Sequence, residues 1–197
     1  MKDRARFEAR KDALRDKVII EAIRFVLPKL EAEAALIGGL AVAYHVNPPV
    51  TVDIDFIVKS KWKELYERLK PVFRPLGWRV TMFGFPLRRW KPGTPLNGIR
   101  LMLEEPHMLV FDLLAAGADS YLKAVVDRAV QAEISATPDS EKLKLKIARP
   151  EDLVVLKILS GREKDIDDTE ELTYALGEKF DEQYVFKTLD SLGWKIF

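Results

Sequence analysis

Residues 35–56, Ala-Leu-Ile-Gly-Gly-Leu-Ala-Val-Ala-Tyr-His-Val-Asn-Pro-Pro-Val-Thr-Val-Asp-Ile-Asp-Phe, constrain the fold more than any other stretch. A short apolar run ends in Gly38-Gly39. An apolar helical stretch follows, then a Pro-Pro turn, then a strand carrying Asp53 and Asp55. Side chains on a strand alternate faces, so Asp53 and Asp55 share one face while Val52, Ile54 and Phe56 point into a core. Two carboxylates side by side repel each other and are costly to bury. A divalent cation is the simplest compensation, and oxygen-only ligands favour Mg²⁺ or Mn²⁺. A Gly pair between strand and helix permits a tight turn and close approach of a ligand. Free N–H groups at the start of that helix suit a phosphate. Taken singly, Gly-Gly is an ordinary turn and Asp-x-Asp an ordinary solvated strand end. Taken together, in this order, they read as a phosphate cradle and a metal clamp.

Composition narrows the remaining classes. The chain of 197 residues is long enough for one sizeable domain, or a domain with a helical appendage. Its 48% hydrophobic and 32% charged residues are ordinary for a globular protein. A net charge of +1 supplies no global attraction to nucleic acid or anionic membrane. The absence of cysteine excludes disulfides, thiolate zinc sites and cysteine nucleophiles. The charged N-terminus is unlike a signal peptide, and no apolar run reaches the length of a membrane span. A cytoplasmic protein with no membrane partner is the expectation.

Along the chain, residues 4–30 read as an amphipathic helix with Leu14, Val18, Ala22 and Phe25 or Val26 on one stripe. Strands are expected at 34–37 and 51–58, with a short helix at 40–46. His45, beside Tyr44, reads as a packing or hydrogen-bonding residue. Residues 60–75 form a helix capped by Ser60, with Trp62, Leu65, Leu69 and Phe73 buried. After a strand at 78–84 comes a Pro- and Gly-punctuated loop, 86–98. Its Arg88, Arg89, Trp90 and Lys91 could contact phosphates and a base, or form a solvated hairpin tip. Strands follow at 99–104 and 109–114.

Asp112 interrupts an otherwise apolar, central-looking strand. A buried carboxylate without a partner is expensive. Joining Asp53 and Asp55 at one metal site would supply the compensation. Residues 119–133 mix a helical pattern with a short strand, and 142–148 alternate strictly, as an edge strand with its lysines outward. Pro150, Glu151 and Asp152 open a helix that is apolar all round except for Lys157 and Ser160. Lys157 therefore needs a route to solvent or a buried anion, for which the carboxylate cluster or a bound triphosphate is the candidate. Gly161 ends that helix, and Asp165 reads as the N-cap of the next. Arg162 and Lys164 sit at the joint between the two helices, placed to face a phosphate, though Lys164 could instead pair with Asp168. Two more amphipathic helices close the chain, with Trp194 and Phe197 docking the tail.

Gly-Gly, a short helix, Thr-x-Asp-x-Asp on a strand and a later strand Asp together resemble the polymerase-β-like nucleotidyltransferase superfamily. Gly38, Gly39, Thr51, Asp53, Asp55 and Asp112 carry the likeness. The run from Pro150 to Asp168, with Lys157, Arg162, Lys164, Asp165 and Asp168, resembles the abortive-infection toxin-type branch. The resemblance covers roughly residues 33–175. It implies an α+β nucleotidyltransferase fold: a small mixed β-sheet flanked by helices, with a C-terminal helical part. The core with its N-terminal helix would occupy 1–148, and a helical subdomain packed on it 149–197.

The same resemblance implies the chemistry. Asp53, Asp55 and Asp112 would bind two Mg²⁺ or Mn²⁺ ions, with Asp112 as general base or shared metal ligand. Gly38, Gly39, Thr51, Arg162 and Lys164 would bind the nucleoside triphosphate, and Lys157 would join the catalytic set. The acceptor could be tRNA, a protein or a small molecule, and a cognate antitoxin is an implied partner. Pro49 departs from the branch, where a basic residue is common two positions before the Thr; that phosphate contact is either missing or supplied elsewhere, by the Arg88–Lys91 loop. Two other functions compete. One is a non-catalytic nucleotide- or partner-binding module that kept the fold. The other is a glycosyltransferase using Asp-x-Asp, which leaves Gly38-Gly39 and the Lys157 helix without a purpose.

Overall fold

The computed structural model describes residues 17–46, 53–85, 96–135 and 141–194. Thr51, Pro49, the Arg88–Lys91 cluster and Phe197 lie outside them, as do the side chains of Phe85 and Lys164.

Helix α1 covers residues 17–30 and buries Ile19, Ala22, Ile23, Val26 and Leu30, the three- and four-residue spacing of a helix face. Then come β1 (Ala34–Ile37), α2 (Gly38–His45), β2 (Asp53–Val58), α3 (Trp62–Phe73), β3 (Arg79–Phe85), β4 (Leu96–Leu103) and β5 (Leu109–Ala115). The chain continues through α4 (Ser120–Arg128), β6 (Val130–Ile134), β7 (Leu143–Ile147), α5 (Pro150–Ser160), α6 (Lys164–Leu176) and α7 (Glu182–Ser191). The strands form one mixed sheet of seven, in the order β3-β4-β5-β2-β1-β7-β6. This is the expected α+β architecture of a mixed sheet flanked by helices. β5 is buried along its whole length, as befits a strand inside the sheet with helices over it.

The core is contiguous. Leu153, Val155 and Leu159 of α5, Leu172 of α6, and Val185 and Leu189 of α7 belong to the same apolar cluster as the strands. An aromatic ladder ties α1 and α3 to the sheet: Phe25 meets Phe73 edge-on at 5.8 Å, Phe73 meets Trp78 at 5.4 Å, and Trp78 meets Phe111 at 6.0 Å. Trp194 packs against the core as expected. No helix among the described residues is long and apolar enough to cross a membrane.

Several local expectations are corrected. β7 is not an edge strand: it lies between β1 and β6. Its lysines pair with acids on both sides of it. Lys144 meets Glu133 of β6 at 3.6 Å, and Lys146 meets Glu33 at 2.6 Å. β4 begins at Leu96, inside the stretch read as loop, because pairing with β3 extends to Phe85. Ser60 does not cap α3. Lys61 holds that position, and the Ser60 hydroxyl donates to the Lys61 carbonyl at 3.3 Å.

Candidate active site

The strand register places the carboxylates. β2 pairs in parallel with β5, with Asp55 directly beside Asp112, and Asp53 beside Val110. Ile54 and Phe56 are buried in the core while Asp53 and Asp55 are half-buried on the opposite face. One row of paired residues therefore crosses five strands: Thr81, Arg100, Asp112, Asp55 and Ile37. Neighbouring strands are about 4.8 Å apart, so the side chains of such a row are in reach of one another.

Gly38 closes the row at one end. It follows Ile37, the cross-strand partner of Asp55, and turns the chain into α2 with φ +69°. Only glycine adopts that conformation without strain. A Cβ there would also lie 2.0 Å from Asp55 Oδ2. The turn thus packs its bare Cα against the Asp55 carboxylate. No side chain caps the N-terminus of α2 among the described residues. Gly39 lies in the same first turn. The far end of α2 is tied down by His45, whose Nε2–H donates to the Ala148 carbonyl at 2.8 Å. His45 is the hydrogen-bonding residue that the sequence suggests.

Arg100 is the residue that sequence reading misses. Its Nε–H donates to Asp112 Oδ1 at 2.7 Å and its terminal N–H to Oδ2 at 2.6 Å, a two-pronged ion pair. Asp112 is thereby compensated by a neighbouring strand. The hydrogen bonds to Asp112, and the charges of Asp112, Asp53 and Asp55, together hold the Arg100 guanidinium more strongly protonated than usual, against the opposing effect of burial. A signal was available: a hairpin centred on Pro106 sets residue 100 opposite residue 112. The guanidinium lies 5.5 Å from the Phe83 ring centre. Phe83 in turn pairs with Gly98 and lies so close that a Cβ on Gly98 would sit 2.7 Å from its ring.

The joint between α5 and α6 forms a second charged group. Lys157 is buried, and its ammonium donates to Asp165 at 3.2 Å and to Asp168. A buried anion for it is supplied by α6, one turn beyond Gly161, and not by the strand carboxylates. Asp165 is likewise not the N-cap. Glu163 holds that position, and Asp165 is drawn inward beneath Lys157 and the Arg162 fork, which donates to it at 2.8 and 3.0 Å. Burial resists ionisation of Asp165, but its bonds to Arg162 and Ser160 and the Lys157 charge outweigh that and hold its carboxyl below the usual range. Arg162 is half-exposed. Although burial opposes its charge, the Asp165 bonds and the charges of Asp165, Asp55 and Asp168 keep it more strongly protonated than usual. The joint therefore lies within electrostatic reach of the strand carboxylates, with Arg162 as its exposed cation.

A third polar group sits behind α5. Asp152, fully buried, accepts from Tyr184 Oη at 2.7 Å, Tyr121 Oη at 3.3 Å and both prongs of Arg128 at 2.7 and 3.3 Å. It fastens α7 and α4 to α5.

The acidic set fits a hard cation in kind, having only carboxylate oxygens on neighbouring strands. As held here it does not converge: among the described residues no three acidic or histidine side chains gather closely enough for a metal ion. Both oxygens of Asp112 are engaged by Arg100.

No protein-family model matches the sequence, and no curated protein matches it either. Among solved structures, the chain is similar to an antigenic nucleotidyltransferase-like protein from Paracoccidioides brasiliensis, at 18% identity and TM-score 0.48, over 92% of this chain and 93% of that one. It is similar to the antibiotic-resistance factor ANT(2'')-Ia in solution, at 13% identity and TM-score 0.49, over 90% and 95%. The crystal structure of ANT(2'')-Ia in complex with adenylyl-2''-tobramycin matches at 14% identity and TM-score 0.46, over 89% and 97%. Likenesses of this order bear on neither activity nor substrate.

Proposed function

We propose that this protein is a divalent-cation-dependent nucleotidyltransferase, moving a nucleoside monophosphate from a triphosphate to a hydroxyl acceptor. The observation that carries the reading is the register of Asp55 beside Asp112, with Asp53 on the same face and the Gly38 turn against Asp55. Asp53, Asp55 and Asp112 would hold Mg²⁺ or Mn²⁺. When bound, the cation polarises phosphoryl oxygens and lowers the pKa of the acceptor hydroxyl. The first turn of α2, with Gly38 and Gly39, offers backbone N–H groups to phosphate oxygens. Thr51 and Lys164 join it on the resemblance of their motifs. Arg162, half-exposed and sensing Asp55, neutralises phosphate charge. Lys157 is reassigned to positioning: it fixes Asp165, and through it the Arg162 fork. In the transfer, the acceptor oxygen bonds to the α-phosphorus, the bond to pyrophosphate breaks, and the acceptor proton passes to Asp112.

The abortive-infection-type run supports an RNA or protein acceptor and an antitoxin partner, although a net charge of +1 gives RNA no general pull. A second reading is favoured by one observation. Arg100 already neutralises Asp112, as a non-catalytic nucleotide- or partner-binding module would allow. Calorimetric titration with each of the four ribonucleoside triphosphates and Mg²⁺, on wild type and Asp53→Ala, separates the two. Metal-dependent binding lost in Asp53→Ala, followed by transfer of label from the α-phosphate, supports the enzyme. Binding indifferent to Mg²⁺ and to Asp53 supports the module.

A further inference from the structure

Arg100 is an unusual neighbour for a metal-binding carboxylate. It grips both oxygens of Asp112 from the adjacent strand and senses the charges of Asp53 and Asp55. A cation held by Asp53, Asp55 and Asp112 would be a like charge to the guanidinium that already holds Asp112, and like charges repel. Asp112 is almost fully buried while the Arg100 side chain is 45% exposed, so the arginine is the partner with room to leave. The Phe83 ring, itself laid down on Gly98, lies beside the guanidinium of this exposed side chain.

We propose that Arg100 is an internal counter-cation that occupies Asp112 in the metal-free protein and yields it when a divalent cation binds. The three carboxylates are then never left uncompensated, and metal affinity is set by competition with this ion pair. Asp112 becomes free to accept the acceptor proton only once Arg100 has withdrawn. The inference rests on the metal-dependent reading above.

The test uses Mg²⁺ and Mn²⁺ alone, without nucleotide. In arginine-side-chain ¹H–¹⁵N spectra of the full chain, the Arg100 Nε–H resonance, assigned by its loss in Arg100→Lys, is followed during Mg²⁺ titration beside calorimetry of the same titration. The expected result is a saturable shift that tracks binding and is lost in Asp53→Ala. Arg100→Gln is expected to bind Mn²⁺ on the order of tenfold more tightly, the worth of a charge-assisted pair removed. Arg100→Lys, which keeps the charge but not the fork, should fall between, and serves if Arg100→Gln does not fold. A resonance that stays put while Mg²⁺ binding saturates overturns the inference and leaves the metal-dependent reading standing. Unchanged or weaker Mn²⁺ binding in both variants does the same. Absence of Mg²⁺ and Mn²⁺ binding by the wild type overturns both.

Discussion

Gly38 and Asp55 share one small volume: a Cβ on Gly38 would lie 2.0 Å from Asp55 Oδ2, 2.8 Å from its Cγ and 2.9 Å from its Cβ. The carboxylate can therefore hold its place only because residue 38 has no side chain. Gly38→Ala would pay twice, once in the left-handed backbone, about 1–2 kcal/mol, and again in a displaced Asp55. We expect a lower melting temperature together with loss of Mg²⁺-dependent triphosphate binding by calorimetry. Full binding in Gly38→Ala would contradict a site built on this contact.

Gly98 does the same for Phe83 and Arg100. A Cβ there would meet the Phe83 ring at 2.7 Å and the Leu113 carbonyl oxygen at 2.8 Å. Gly98→Ala should cost about 1–3 kcal/mol in denaturant unfolding, the range of an overpacked site. Adding Phe83→Leu should restore only part of it, because the Leu113 carbonyl belongs to the backbone of β5 and stays where it is.

Lys157 and Asp165 are both buried, so removing the ammonium leaves Asp165 to Arg162 and Ser160. Lys157→Met should destabilise by about 3 kcal/mol, the low end for a broken buried pair because Arg162 still holds Asp165. The pH dependence has a definite sign. Asp165 titrates below its ordinary value of 3.8 in the folded state. Its contribution is therefore whole above that pH and is lost as pH falls through the lowered value. The stability gap between wild type and Asp165→Asn should be constant near neutrality and shrink in acid below pH 3.8. A gap that widens in acid would reverse the assignment.

Asp152 anchors a phenol whose titration can be watched. Burial first, and the hydrogen bond to Asp152 next, push Tyr184 from 10.0 up to about 12. Stability stored in the neutral phenol is whole below pH 10.0 and is lost as pH rises through about 12. Asp152→Asn should bring one tyrosine back toward the usual range in ultraviolet titration. It should also cost about 2 kcal/mol, less than a fully buried pair because Arg128 is partly exposed.

Much of this site was legible in the sequence, and the division follows the range of the forces involved. Local patterning sufficed for Asp53 and Asp55 on one face of β2, for the Gly38 turn before α2, and for the helix from Pro150 to the left-handed Gly161. Strand alternation and backbone conformation act over a few residues, and a single chain displays them. The pairing of Arg100 with Asp112 was within reach, because a short hairpin determines its own register. Three other relationships were not legible. The parallel register of Asp55 beside Asp112 joins strands separated by α3, β3 and β4. The Lys157–Asp165–Arg162 group depends on how α6 folds back on α5, and it draws the expected helix cap Asp165 inward as the partner of both cations. β7 read as an edge strand because its lysines face outward, whereas β6 covers it. The sequence by itself determined which residues carry charge and which face of an element each one takes. Only the tertiary structure decided which charges meet, because a buried ion pair goes to whichever opposite charge packing brings within about 3 Å.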